Sequence, residues 1–363
     1  MYDLIPYTRN DNYGEMKVPH VVCWRMGLML IAVLGSLESW YLKDITRAAV
    51  KRGHSVIGIP FRQLHGIVAQ EISDVRAPVG SDAIKRFRRS VACRKTVDRQ
   101  VPVSPPLLSS HGIHEMFSLS DVDAVLVRTM PPGSLEQVVY RMDALHSLQG
   151  TGVAVVNPPR ALETAVDKYL SGVRLGAAGL LVPRTEVCET QMIAMESFSS
   201  MNADVVVKPI FGSEGRGITR VTDMEMAYRV FSTLERIGAV IFQQEFIPHF
   251  GYDLRAMVLD GRVVAAMRRR STLDWRTNVS RGAKAEPATL TKQEEQTAVQ
   301  AANAVGATLA GVDLLPAKDG ELYVVEVNAV PGWRATARVS NVDVSDTIVE
   351  YLSSIPVPDS TPS

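Results

Sequence analysis

At 363 residues the chain is too long for one hydrophobic core, so two or three subdomains are expected. Its 46% hydrophobic and 21% charged residues suit a soluble globular protein, and a formal net charge of zero excludes a generic polyanion binder, so no DNA partner is expected. The cysteines Cys23, Cys93 and Cys188 are scattered with no C-x-x-C pair, which excludes a disulfide framework and a thiolate zinc site and suits a reducing cytoplasm.

Residues 1–25 are polar and irregular and read as an extension of the fold. GLMLIAVLG at 27–35 follows Lys17 and Arg25 and imitates the apolar part of a signal peptide. No small-residue cleavage site follows, and an amphipathic helix does, so 29–34 reads as a buried first strand. No run approaches the roughly 20 apolar residues needed to cross a bilayer, so no membrane partner is expected. A helix over 39–52 presents Leu42, Ile45, Ala49 and Val50 on one face and ends at Gly53; a strand over 56–59 follows. This strand–helix–strand unit implies a parallel sheet. The turn Gly35-Ser36-Leu37 lacks the G-x-G-x-x-G of a dinucleotide site.

Residues 61–120 give no clear pattern. Their basic cluster, Lys85, Arg86, Arg88, Arg89, Arg94, Lys95 and Arg99, reads first as a solvated helix face, or else as a landing site for an acidic substrate. His111, His114 and Glu115 match neither H-E-x-x-H nor H-x-x-E-H, and the nearby Gly112, Pro105 and Pro106 argue for a loop. A buried strand over 122–127 runs into Arg128-Thr129-Met130-Pro131-Pro132, at the end where ligands sit in open parallel sheets. A helix over 135–148 and a strand over 153–156 complete an α/β domain spanning 26–160.

Beyond Arg160 a long helix over 161–178 carries Lys168 and is stopped by Gly179 and Pro183. The strand VVVK at 205–208 ends in Lys208, and the loop 209–218 contains Gly212, Gly215 and Gly217. Next come a helix over 224–237, a strand over 240–246, a hairpin 253–259/263–269 about Asp260-Gly261, a polar loop 271–287 and a helix over 292–309. The stretch 311–332 then reads as two strands about an Ala-Lys-Asp-Gly turn, with Val324, Glu326 and Asn328 on one face and Tyr323, Val325 and Val327 on the other. Carboxylates inside apolar strands are costly unless something positive meets them. Asp313, Glu326 and Asn328 are hard oxygen ligands able to converge on Mg2+; the plain alternative is a hairpin with its polar side in water.

A lysine ending a strand, a loop of small residues able to close over phosphates, a second lysine upstream and an oxygen-lined hairpin are the parts that phosphoryl transfer needs. No G-x-x-x-x-G-K-[ST] and no kinase signature occurs. Residues 160–332 resemble the ATP-grasp superfamily, above all the RimK-like amino-acid ligases, which join glutamate to a ribosomal protein tail or to a coenzyme. The segments are DKYL at 167, VVVKPIFGSEGRGI, QQEFI at 243, GYDLRAMVLDGRVVAAMRRR, DWRTNVSRGA at 274, AGVDLLPA and VVEVNAVPGW. The N-terminal unit and its RTMPP turn look like that family's pre-ATP-grasp domain.

The resemblance implies an α/β (α+β ATP-grasp) fold: an extension at 1–25, a parallel α/β pre-ATP-grasp domain at 26–160, a small subdomain with the glycine lid at 161–247, a C-terminal subdomain with the metal site at 248–355 and a tail at 356–363. It also implies roles. Lys168 and Lys208 would hold the phosphates of ATP, with Gly212, Ser213, Gly215 and Gly217 in the lid over them. Gln244, Glu245, Phe246 and Ile247 would line the adenine and ribose pocket, with Asp253 beside it. Arg276 and Asn278 would face the γ-phosphate and the reacting carboxylate. Asp313, Glu326 and Asn328 would hold a pair of Mg2+ ions, with Mn2+ as the alternative. ATP would convert an acceptor carboxylate to an acyl phosphate, and the amine of L-glutamate, or of another amino acid, would attack it. Pro-Gly-Trp-Arg at 331–334, the 61–120 insertion and the N-terminal arm depart from the ribosomal-protein modifiers, so a pterin coenzyme of the tetrahydromethanopterin kind suits the acceptor role as well as a protein C-terminus. Trp333 is either a stacking platform or a core residue. A cytoplasmic homo-oligomer is expected; the rival readings are a non-catalytic ATP-binding regulatory protein and a phosphotransferase acting on a small acid.

Overall fold

The computed structural model describes residues 28–69, 72–79, 115–212, 217–271, 274–278 and 282–356. Aliphatic strands Leu30–Leu34, Ser55–Ile59, Ala124–Val127 and Ala154–Val156 form a parallel sheet in the order 55–59, 30–34, 124–127, 154–156. All five residues of Leu30–Leu34 are buried, as expected of a strand covered on both faces. The helix Trp40–Lys51 is capped by Ser39, whose hydroxyl accepts from the Tyr41 amide at 3.2 Å. The second strand is added on one side of Leu30–Leu34 and the later ones on the other, starting with Ala124–Val127, and the crevice at such a switch point opens beyond the strand ends, at Gly35 and Arg128.

Two antiparallel sheets follow. Thr219–Val221, Val205–Lys208, Ile241–Glu245 and Thr185–Cys188 form the smaller, in that order. The helices Gln191–Ser200 and Met224–Arg236 close its core through Phe198 and Phe231. The larger runs Lys284–Pro287, Arg262–Arg270, Tyr252–Leu259, Leu309–Pro316, Leu322–Asn328. Asp260 and Gly261, at φ 49° and 70°, make the turn of its central hairpin, the conformation an Asp-Gly pair favours. One apolar cluster joins the parallel sheet to this larger sheet. Asn157 bridges them too: its amide nitrogen donates to the carbonyls of Leu309 at 2.7 Å and Ala329 at 2.5 Å, and its oxygen accepts from the Leu309 amide at 2.8 Å.

Several expectations need correction. The long helix carrying Lys168 is two helices, Pro159–Val166 and Lys168–Ala177. Asp167 breaks it: its backbone is extended and its carboxylate accepts from the amides of Tyr169 and Leu170, so local capping beats helix continuation. The helix expected over 292–309 stops at Ala304, and Gly306 at φ 74° turns the chain into a strand from Leu309. The polar loop 271–287 contributes the strand Lys284–Pro287. The strand Arg262–Arg270 is thereby paired on both sides. Residues 61–120 include the antiparallel strands His65–Ala69, Ile72–Val79 and Glu115–Ser118, so Glu115 opens a strand, not a loop. Helices Arg334–Ser340 and Val344–Ser354 were not anticipated. The arm 1–25, the 85–99 cluster, His111 and His114, Ser213 and Gly215, and the tail past 356 lie outside the described residues.

Candidate active site

The smaller and larger antiparallel sheets face each other across a cleft of about 150 Å3. Lys208 ends the strand Val205–Lys208 and points its ammonium into the cleft, where it donates to Gln244 Oε1 at 2.6 Å. Gln244 is oriented in turn by donating to Thr185 Oγ1 at 2.8 Å. Lys168 is the first residue of its helix because Asp167 caps it. Its ammonium donates to the carbonyl of Gly212 at 2.7 Å and lies 4.0 Å from Glu326 Oε1. Desolvation pushes Lys208 down to about 8, against the pull of Glu326, with Lys168 adding to the fall. Desolvation lowers Lys168 as well, and Glu326 only partly restores it. Two ammoniums without enough counter-charge are an anion site.

On the opposite wall Asp313 and Glu326 are register partners on adjacent strands. The register slips after Asp313, so strict alternation fails: Val324 and Val327 both enter the core while Glu326 reaches the cleft. Asp313 is 4% exposed and accepts from Arg255 Nη1 at 2.8 Å and pairs with Arg269 Nη2 at 2.9 Å. Arg269 also donates from Nε to Asp253 at 2.7 Å, and Asp253 accepts from Thr277 Oγ1 at 2.5 Å. Burial alone would raise Asp313, but the two guanidiniums hold it below the usual carboxylate range. Burial wins at Asp253, whose share of Arg269 does not cancel it. The buried acid that pointed to a cation is thus met by arginines.

Glu326 and the Asn328 amide remain as hard oxygens beside Asp313 around a second cavity of about 830 Å3. This all-oxygen set fits Mg2+, which commonly takes one or two carboxylates and completes its shell with phosphate and water. Among the described residues no cluster of three His, Cys, Asp or Glu side chains forms a metal cage.

Most residues singled out from the sequence lie on the cleft: Lys168, Lys208, Gly212, Gln244, Glu245, Phe246, Ile247, Asp253, Arg276, Asn278, Asp313 and Glu326. Arg276 is held by Asp274, its Nε donating at 2.6 Å, and Phe246 packs edge-on to Trp275 at 5.8 Å. Asn328 lies on the second cavity only, its Oδ1 accepting from the Val330 amide at 2.8 Å. Gly217 is not in either lining; at φ 73° a Cβ there would meet the Pro209 ring at 2.9 Å. Arg255, Arg269 and Thr277 had no role assigned from the sequence, and Arg128 was placed only at a strand end where ligands sit. Arg128 alone carried a signal, its place after a buried strand; the others depend on cross-strand register.

A model of the RimK-like ATP-grasp domain matches residues 165–352. The chain is 32% identical over 265 residues to the tetrahydromethanopterin:alpha-L-glutamate ligase of Methanosarcina acetivorans, covering 65% of this chain and 82% of that protein. It is 34% identical over 240 residues to the ligase of the same name from Methanocaldococcus jannaschii, covering 64% and 80%. It is 32% identical over 238 residues to a probable alpha-L-glutamate ligase of Haemophilus influenzae, covering 65% and 77%. Its fold is similar to the ATP-grasp ligase PsnB complexed with a minimal precursor, at TM-score 0.62 and 20% identity over 90% of this chain and 99% of that one. A RimK domain protein from Sphaerobacter thermophilus gives TM-score 0.61 at 19% identity over 88% and 98%. The chain belongs to the RimK-like ATP-grasp family and is a ligase of its carboxylate–amine kind.

Proposed function

We propose that the chain uses ATP and Mg2+ to join L-glutamate to an acceptor carboxylate through an acyl phosphate. The observation that carries this reading is the convergence of Lys168, Lys208 and Glu326 in one cleft, with Lys168 4.0 Å from Glu326. The names of the relatives support glutamate as the amine. Lys168 and Lys208 neutralise the phosphates, and Gln244 sets the aim of Lys208. Glu245, Phe246 and Ile247 receive the adenosine, with Asp253 behind them. Asp313, Glu326 and Asn328 would hold the metal, as a pair of ions, with Mn2+ as the alternative. When bound, it supplies Lewis-acid charge neutralisation on the phosphoryl oxygens.

The acceptor carboxylate oxygen bonds to the γ-phosphorus as the bond to ADP breaks. The amine nitrogen then adds to the acyl carbon, inorganic phosphate leaves, and the nitrogen loses its proton. Arg276 and Asn278 face the transferring phosphoryl group and the developing oxyanion. The Gly212–Gly217 loop keeps water from the acyl phosphate. The larger second cavity receives the acceptor, whether a pterin coenzyme or a protein C-terminus.

Incubation with ATP, Mg2+, candidate acceptors and a panel of amino acids should release ADP only when acceptor and L-glutamate are both present. Lys208→Ala and Glu326→Ala should each abolish that release. Unchanged turnover in either variant would refute the site, and ADP release without any amine would make the protein a phosphotransferase.

A further inference from the structure

Arg276 lies on residues 274–278, which form no helix or strand, so no backbone ladder fixes where its guanidinium points. Its Nε donates to Asp274 at 2.6 Å, but that pair joins two residues of the same short segment and is 25% and 28% exposed. Trp275 sits between them in sequence and lines the cleft. The Arg276 guanidinium lies over its ring, 5.7 Å from the centroid, and the same indole meets Phe246 edge-on at 5.8 Å and 87°. None of the buried apolar clusters among the described residues includes Trp275, so the core does not account for it.

Phe246, by contrast, is a fixed socket. Its backbone amide donates to the Asp204 carbonyl at 3.0 Å. Arg220 lies over its ring, 3.4 Å from the centroid, and Asp204 locks Arg220 with hydrogen bonds at 2.7 and 2.6 Å. The His249 ring packs against it at 5.9 Å, and the preceding Pro248 carbonyl accepts from the Lys318 amide at 2.8 Å. A ring seated edge-on against one that cannot move is itself held. Its face then attracts the guanidinium through the ring quadrupole, which limits where Arg276 can swing. Arg276 Nη1 reaches the Ile218 carbonyl at 3.4 Å, so from this seat the side chain spans the cleft to the end of the glycine loop.

We propose that Trp275 is a positioning residue: seated on Phe246, it aims the Arg276 guanidinium at the terminal phosphate of the bound nucleoside triphosphate. This rests on the ligase reading and deepens it, tying the phosphate end of the site to the segment that receives adenosine. The succession of Arg220 on Phe246, Phe246 on Trp275 and Trp275 on Arg276 is complete in the free protein, so the charge is aimed before the nucleotide arrives. ADP lacks the terminal phosphate, and its affinity should not register the loss of Trp275.

The test is titration calorimetry with Mg2+ and either ADP or the β,γ-imido analogue of ATP. The wild-type protein should bind the analogue about tenfold or more tightly than ADP. Trp275→Leu should remove most of that preference while ADP affinity stays within about twofold. Trp275→Phe, which keeps a ring against Phe246, should retain most of it. Arg276→Gln should also remove the preference, and the double variant should lose no more than Arg276→Gln alone, because the tryptophan acts through the arginine. Full preference in Trp275→Leu overturns the proposal, as does an additive loss in the double variant. An equal fall in affinity for ADP and the analogue overturns it too, by assigning Trp275 to the base or ribose. If Trp275→Leu fails to fold, Trp275→Met, which keeps bulk without a ring, takes its place. A wild type that binds neither nucleotide sinks the ligase reading and the proposal together, whereas binding of both with no effect of Trp275→Leu sinks the proposal alone.

Discussion

Lys208 shows what a single desolvated charge does. Its ammonium titrates near 8 in the folded protein, against about 10.4 when unfolded. Between those values the unfolded chain binds more protons, so the stability of the free protein should rise with pH across that window; below it the full cost of the buried charge is present. A phosphate bound there, as proposed, would supply the missing counter-charge and raise the folded value. Nucleotide binding near pH 8.5 should therefore take up protons, and affinity should fall by up to about tenfold per pH unit above 8. Calorimetry in buffers of different ionisation enthalpy measures the uptake. Lys208→Arg, which stays charged, should remove it.

Asp313 and Glu326 are neighbours with opposite stability signatures. Asp313→Asn strips the shared carboxylate from Arg255 and Arg269 and should cost about 3–5 kcal/mol in denaturant unfolding. Glu326→Gln touches a half-exposed side chain and should shift stability by less than about 1 kcal/mol while removing turnover. Equal destabilisation by the two substitutions would contradict the division between buried network and open ligand.

Among elements, the break at Asp167 matters most to the site. A continuous helix would carry Lys168 on an ordinary turn, whereas the cap sets it at a helix start beside Gly212. Asp167→Ala should cost about 1 kcal/mol and weaken ADP binding, measured by thermal melting and calorimetry, with Lys208 contacts untouched. Apolar runs such as VVVK at 205–208 were readable because a buried strand needs no partner to be recognised. Aspartate before Lys168 looked like an ordinary helical residue, since its capping competes with helix continuation on near-equal terms. The slip at Asp313 was invisible for another reason: alternation assumes one register, and a bulge changes it midway.

Over the whole molecule, the N-terminal sheet and the far C-terminal helices are one packed unit. Val344–Ser354 docks on Trp40–Lys51 through Arg47 with Asp343 and Arg52 with Asp346, each at 2.8 Å. Trp333 is fully buried, and its indole nitrogen donates to Asp44 at 3.2 Å. Trp333 is a core residue, and the Arg128 guanidinium lies over its ring. Trp333→Ala should cost about 3–5 kcal/mol and release Arg128, whereas Arg47→Ala at the more exposed Arg47–Asp343 pair should cost less than about 1 kcal/mol; urea unfolding separates them.

The sequence by itself determined the fold class and, through the resemblance of its motifs, the family, because strand periodicity, turn glycines and short motifs are local properties of the chain. Only the tertiary structure decided which charges meet. Arg255 and Arg269 come from different strands, and Arg128, Tyr41 and Trp333 from three distant segments. Their contacts depend on register and on how two sheets pack, and burial makes charges interact strongly only once that packing has removed the water between them.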